Sequence, residues 1–204
     1  MSQIKLVHSG GNGVIISAPS SNPAANRTIT LPGNADGEML TTTNPKTGNI
    51  IQVVSVTKTD TASFSISGQG EYDYTSFSVS ITPSSNSNKV LLTGFVTCSL
   101  SGGEQDVKYF IKRGGSTIDA ARGDADGSRS RVTAGNYSND YVLTSIPINF
   151  LDSPATTSAV TYNLGFRHTS SVSRTFYINR MPSSNDNAQY SRGASTITLM
   201  EVAG

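Results

Sequence analysis

Tryptophan is absent, cysteine occurs once, histidine twice, and charged residues fill only 14% of the 204 positions. Each scarcity excludes something. The single Cys98 rules out an intrachain disulfide and fits synthesis in a reducing cytosol. Zinc sites take three or four His, Cys or carboxylate ligands. His168 therefore reads as a strand-end histidine at the rim of a core, and His8 can serve a metal only if a symmetric trimer brings three copies together. A net charge of +1 with no basic run leaves no face for phosphate contacts, so nucleic acid is not expected as a partner. The densest basic stretch, "KYFIKRGG" with Lys108, Lys112 and Arg113, reads as a solvated strand face. No run of ~18 apolar residues exists to form a membrane-crossing helix. The opening "MSQIKLVHSGG" lacks the apolar stretch of a signal peptide. No segment repeats apolar residues at i, i+3, i+4 and i+7, so helices are not expected either.

Serine and threonine are abundant instead, roughly a quarter of the chain, well beyond ordinary usage. With the valines, asparagines and 19 glycines they favour pleated strands joined by tight turns. Alternation is clearest in "VTYNLGFRH". There Val160, Tyr162, Leu164, Phe166 and His168 share one face, and Thr161, Asn163, Gly165 and Arg167 take the other. "FSVSIT" turns Phe77, Val79 and Ile81 inward. "KVLLTGFVTCSL" is apolar on both sides, with Val90, Leu92, Val96, Cys98 and Leu100 opposed by Leu91 and Phe95. That pattern predicts a strand covered twice, its second face available to a partner subunit. Further strands are expected over residues 50–57, 63–67, 107–112, 141–150, 175–179 and 195–202. Turn signals such as "PSSNSN", "RGGS" and "DADGS" fall between them. Regularly spaced strands without helices predict an antiparallel sandwich or jelly roll over residues 50–204. Spacing alone does not separate a jelly roll from an immunoglobulin-like topology.

Residues 1–45 differ. Short strand-like pieces, "GVIISA", "RTITL" and "EMLTT", are punctuated by Pro19, Pro23, Pro32 and Pro45, and residues 46–49 act as a linker. A segment this small, without cysteines, cannot close a core of its own. Its low charge and β-branched residues argue against plain disorder. We read it as an attachment element or stalk intertwined with copies of itself, with Ile29 and Leu31 at the contact.

Candidate chemistry is thin. Asp124-Ala125-Asp126-Gly127-Ser128 misses the calcium-loop pattern, since its sixth and twelfth positions are Arg129 and Gly135. Asp119, Asp124 and Asp126 lie in turn-like sequence and make a poor glycosidase pair. No Ser/His/Asp arrangement is visible. Cys98, on an apolar face, reads as a buried structural thiol. Neither a catalytic residue nor a cofactor is expected. Loop tyrosines Tyr72, Tyr74, Tyr137 and Tyr190 are candidates for a receptor- or sugar-binding platform, although the lack of tryptophan weighs against a strong lectin site.

The segment "GNGVIISAPSSNPAANRTITLPGNADGEMLTT" resembles one found in fibre and virion proteins of tailed bacteriophages, marine phages especially. The matching core is Ala25 to Pro32, followed by Asp36-Gly37 and Met39-Leu40. "GNIIQVVSVTKTDT…SITPSSNSNKVLL" resembles the start of the globular domain in such proteins and the ending "STITLMEVAG" their last strand; the middle, about Ser101 to Arg192, matches only in character. The resemblance implies a homotrimeric virion appendage, made in the host cytoplasm and carried on the particle's exterior. Its N-terminal part would hold other virion proteins, and its sandwich would meet a host surface glycan or protein. Decoration of the capsid, as a head fibre or cement protein, is the alternative. A free-standing carbohydrate-binding module is a further one. Leu91 and Phe95 are the candidate trimer contacts within the sandwich.

Overall fold

The computed structural model describes residues 3–7, 9–17, 20–21, 45–102, 105–183 and 185–204. Ile29, Leu31, His8 and the strands expected over "RTITL" and "EMLTT" lie outside these residues. The chain divides into two units, Met1–Met39 and Leu40–Gly204.

In the first unit, β1 (Gln3–Val7) pairs antiparallel with β2 (Gly13–Ser17). The turn between them needs Gly11 at φ +93°, a conformation open to glycine at little steric penalty. Strand β1 was not visible as a strand from its sequence. Ile4, Leu6, Val7, Ile15 and Ile16 all stand exposed on this hairpin.

The second unit is an antiparallel sandwich. One sheet holds β3 (Ile50–Lys58), β4 (Ala62–Ile66), β6 (Lys89–Leu100), β10 (Thr144–Asp152), β12 (Arg174–Ile178) and β13 (Ser195–Val202). The long strand β6 organises it. Along one edge it pairs with β10 from Val90 to Cys98; along the other it pairs with β13 up to Phe95 and then with β12 from Cys98 to Leu100. Outside these lie β3 against β13 and β4 against β12. The second sheet runs β5 (Glu71–Ile81), β11 (Val160–His168) and β7 (Gln105–Arg113), with β9 (Ala134–Ser138) along the first part of β7 and β8 (Ser116–Thr117) at its end.

The inward residues are those the alternation marks. Phe77, Val79 and Ile81 from β5, Val90, Leu92, Val96, Cys98 and Leu100 from β6, and Tyr162, Leu164, Phe166 and His168 from β11 are all buried. Each large apolar side chain so enclosed contributes ~2 kcal/mol. Phe64 anchors an aromatic column, stacked on Tyr72 at 4.2 Å and on Phe176 at 5.3 Å between ring centres. The hydroxyl-rich composition finds its use on the outer faces. Ser55 pairs with Thr198 at 2.9 Å, Ser65 with Thr175 at 2.9 Å, Thr97 with Ser145 at 3.1 Å and Ser80 with Thr161 at 2.7 Å, each across neighbouring strands.

Three expectations need correction. Strand β5 begins at Glu71, six residues before the alternating run, because Glu71, Tyr72, Asp73 and Tyr74 pair with β11 beyond a register slip between Tyr162 and Leu164. The outer face of β11 is not open: Asn163 is buried there, and Gly165 lies beneath the Lys112 stem and the Phe110 ring. Lys112 itself is buried and ion-paired with Asp73, and Arg113 is paired with Asp152, so this basic stretch is no solvated face.

Candidate interaction surfaces

The sandwich has a base and a tip. At the base, the chain enters and leaves side by side: Gly48 N donates to Ala203 O and Ala203 N donates to Asn49 O, both at 2.9 Å. The β5–β6 loop joins them there through Gly204 N, which donates to Asn88 Oδ1 at 3.1 Å. The turns after β4, β6, β9 and β11 lie toward the opposite end, and the loops after β3 and β12 meet beside Thr97 of β6. Asp140 Oδ1 accepts from Gly102 N at 2.8 Å, tying the β9–β10 loop to the β6–β7 turn. Asn179 ties the β12–β13 loop to the β3–β4 loop through Lys58 O and Asp60 O.

The tyrosines expected to form a platform do not share one surface role. Tyr74 is 3% exposed and buried beside Phe64 and Phe166, with its hydroxyl raised above the usual tyrosine value by that burial. It packs in the core and is removed from the candidate receptor contacts. Tyr72 is partly exposed but lays its ring on Phe64 as the end of the aromatic column. Tyr137, on β9, is exposed. Tyr190 lines a hollow of about 290 Å³ with Ser183, Asn185, Asp186, Asn187, Ser191 and Arg192 in the β12–β13 loop. Tyr141, in the β9–β10 loop at the tip, is 74% exposed beside the exposed Val142. Sequence reading missed it because "NDYVLTSIPINF" continues an apolar run and looks like the start of β10, which begins only at Thr144.

Leu91 and Phe95 both point outward from β6. The registers set out three rows across β10, β6, β13 and β3: Leu151–Leu91–Met200–Val53, then Asn149–Thr93–Thr198–Ser55, then Pro147–Phe95–Thr196–Thr57. Phe95 is 40% exposed, and Leu151 and Val53 are exposed too. No charged residue stands in these rows; Lys89 follows at the rim toward the base, beside Val202 and Ile50. The result is an uncharged face: an apolar row, a hydroxyl-rich one, and a mixed one in which Pro147 and Phe95 stand beside two threonines.

Two of the three carboxylates considered for chemistry are answered by arginine. Asp119 pairs with Arg122 and Arg131, whose hydrogen bonds hold its carboxyl below the usual value, and Asp126 pairs with Arg129 in an exposed turn. Among the described residues, no cluster of three His, Cys, Asp or Glu side chains is placed to hold a metal. His168 is fully buried at the end of the aromatic cluster, 6.2 Å from Phe176, with Nε2 3.0 Å from Ile66 O.

One buried polar group meets a cavity. Asp152, 4% exposed, accepts at Oδ2 from Arg113 Nη1 at 2.7 Å and from the Tyr162 hydroxyl at 2.7 Å. The Tyr162 hydroxyl is pushed far up, first by burial and then by the bond to this carboxylate, so it remains a donor. A hollow of about 390 Å³ opens beside them, lined by Ser116, Thr117, Ile118, Ala120 and Phe150 among others. Nothing in the sequence joined these residues, which arrive from β7, β8, β10 and the turn after β8.

No protein-family model matches the sequence, and no curated protein matches it. Among solved structures, the chain is similar to that of the infectious bursal disease virus Gt strain, with a TM-score of 0.43 and 15% identity over 95% of this chain and 48% of that one. For the VP2 subviral particle of the same virus the values are 0.43, 14%, 95% and 48%. For its T13 viral particle they are 0.42, 13%, 87% and 40%. The chain thus spans about half the length, or less, of these viral chains.

Proposed function

We propose that this chain is a non-enzymatic structural protein of a phage virion, a homotrimeric appendage that carries a β-sandwich outward from an N-terminal attachment segment. The observation that carries the reading is the β1–β2 hairpin. A two-stranded hairpin is marginal in water, yet this one, with no third strand paired to it among the described residues, exposes five large aliphatic side chains. Such a surface is stabilised when other strands cover it, and copies of the same segment supply them. The sequence resemblance of residues 11–42 to phage fibre and virion proteins points the same way.

The sandwich adds two supports. Its uncharged outer face, on which Leu91 and Phe95 stand, allows a second copy to approach without like-charge repulsion or the burial of an unpaired charge. Its polarity suits an appendage: the chain enters at the base, while Tyr141 and Val142 stand exposed in a loop at the tip. Contact with a host surface, through these and the neighbouring Tyr137 and Tyr190, is the role this arrangement favours.

The test is native mass by light scattering, for the full chain and for a chain beginning at Gly48. A trimer that falls apart without the first 47 residues is the expected result. A monomer in both forms sinks the appendage reading.

A further inference from the structure

We infer that the cavity between the β7–β8 turn and the end of β10 binds a neutral, hydroxyl-bearing ring of hexose size. This inference is independent of the virion reading, since it rests only on the groups lining that cavity.

The chemistry of the lining selects the ligand class. Both protein bonds to Asp152 fall on Oδ2; Oδ1 has no partner among the described residues and is not sealed from solvent. Arg113 spends only Nη1, on Asp152 and on Ser153 O at 3.4 Å, so Nε and Nη2 remain unused. The Ser116 and Thr117 side chains also line the cavity, and their hydroxyls make no hydrogen bond among the described residues. An acceptor and two donors, fixed side by side on strand ends, match the paired donor and acceptor capacity of vicinal hydroxyls. An anion would have to sit beside Asp152 and Asp119, and a cation beside the Arg113 guanidinium. A neutral polyol satisfies both signs at once, leaving neither charge uncompensated. Phe150 and Ile118 provide an apolar wall for the C–H face of a ring. The volume, about 390 Å³, lies within the range of small-ligand pockets.

The site is also rigid. Asp152 is buried and held by two donors, one of them the Tyr162 hydroxyl from the facing sheet. The position of its carboxylate is therefore set by the sandwich.

Glucose, galactose and mannose, with sulfate as an anionic control, are titrated against the full chain while the Arg113 Nε–H resonance is followed by NMR. The expected result is saturable movement with at least one hexose, at a Kd on the order of 1 mM. Ala120→Trp, at an exposed position on the cavity wall, should weaken that binding at least tenfold while the melting temperature holds. Thr117→Val should weaken it several-fold, and it decides the matter if the tryptophan variant fails to fold. No saturable shift with any hexose up to roughly 50 mM overturns the proposal. So does a shift that both variants leave unchanged, or a response to sulfate alone.

Discussion

Ser195 Oγ donates to Asn179 Oδ1 at 2.6 Å and accepts from Thr97 N at 2.9 Å, closing a buried polar knot between β6, β12 and β13. Asn179 completes it. Its Nδ2 donates to Lys58 O at 2.8 Å and Asp60 O at 2.9 Å, its backbone N donates to Thr97 O, and its φ is +59°. Asparagine is among the few non-glycine residues that tolerate this left-handed conformation.

Asn179→Ala should therefore lower unfolding free energy by about 3 kcal/mol, because one buried and two part-buried partners lose their bonds. Asn179→Gly loses the same bonds but relieves the backbone, so it should be less damaging by about 1 kcal/mol. Urea denaturation of both variants separates the two parts. Equal losses would show that the left-handed backbone contributes nothing.

Glu201 makes stability depend on acid. Its buried carboxylate accepts from Asn88 Nδ2 at 2.6 Å, from Ser84 N at 2.6 Å and Oγ at 2.7 Å, and from Gln52 Nε2 at 2.5 Å. Burial pushes this carboxyl up, but these donors outweigh it and hold it below the usual carboxylate value. The stabilisation is complete above the unfolded value and is lost as pH falls through the folded one. Glu201→Gln turns an amide toward Gln52, which is itself a donor, and should destabilise the protein by about 2 kcal/mol at neutral pH. The deficit should shrink on acidification, as followed by melting temperature against pH. A constant deficit would remove Glu201 as the titrating group.

At the alkaline limit, the buried Tyr109 hydroxyl, which donates to Pro147 O at 2.5 Å, and the buried Cys98 thiol are both pushed up to about 12 by burial. For each group the folded value lies above the unfolded one. The stability they contribute is full below the unfolded value and lost as pH rises through about 12. Absorbance titration should show Tyr109 ionising only as pH approaches about 12, and a thiol reagent should label Cys98 only at the rate of unfolding. Rapid labelling of the native protein would show that β6 opens locally.

Phe95→Asp should break assembly while leaving the sandwich folded, because Phe95 is outside the core and partly exposed in the single chain. Light scattering should report smaller particles, and the melting temperature of the isolated sandwich should change little. Unaltered mass would move the contact off this face.

Sequence alone determined the all-β class, because period-2 alternation marks which side chains leave water whatever they pack against. Tyr162, Leu164 and Phe166 were legible in this way, as was the outward pairing of Leu91 with Phe95 on one strand. Gly94, at φ +146°, was not: it matters because a Cβ would lie 2.1 Å from Thr196 O on the neighbouring strand, and that neighbour is about a hundred residues away. The same holds for Asp152 with Arg113 and Tyr162, for Glu201 with Asn88, and for the burial of Tyr74. Alternation is a local property of the chain. Which strand lies beside which, and hence which charges pair, which tyrosine is enclosed and which carboxylate oxygen is left open to a cavity, follows from long-range register, and only the tertiary structure decides that.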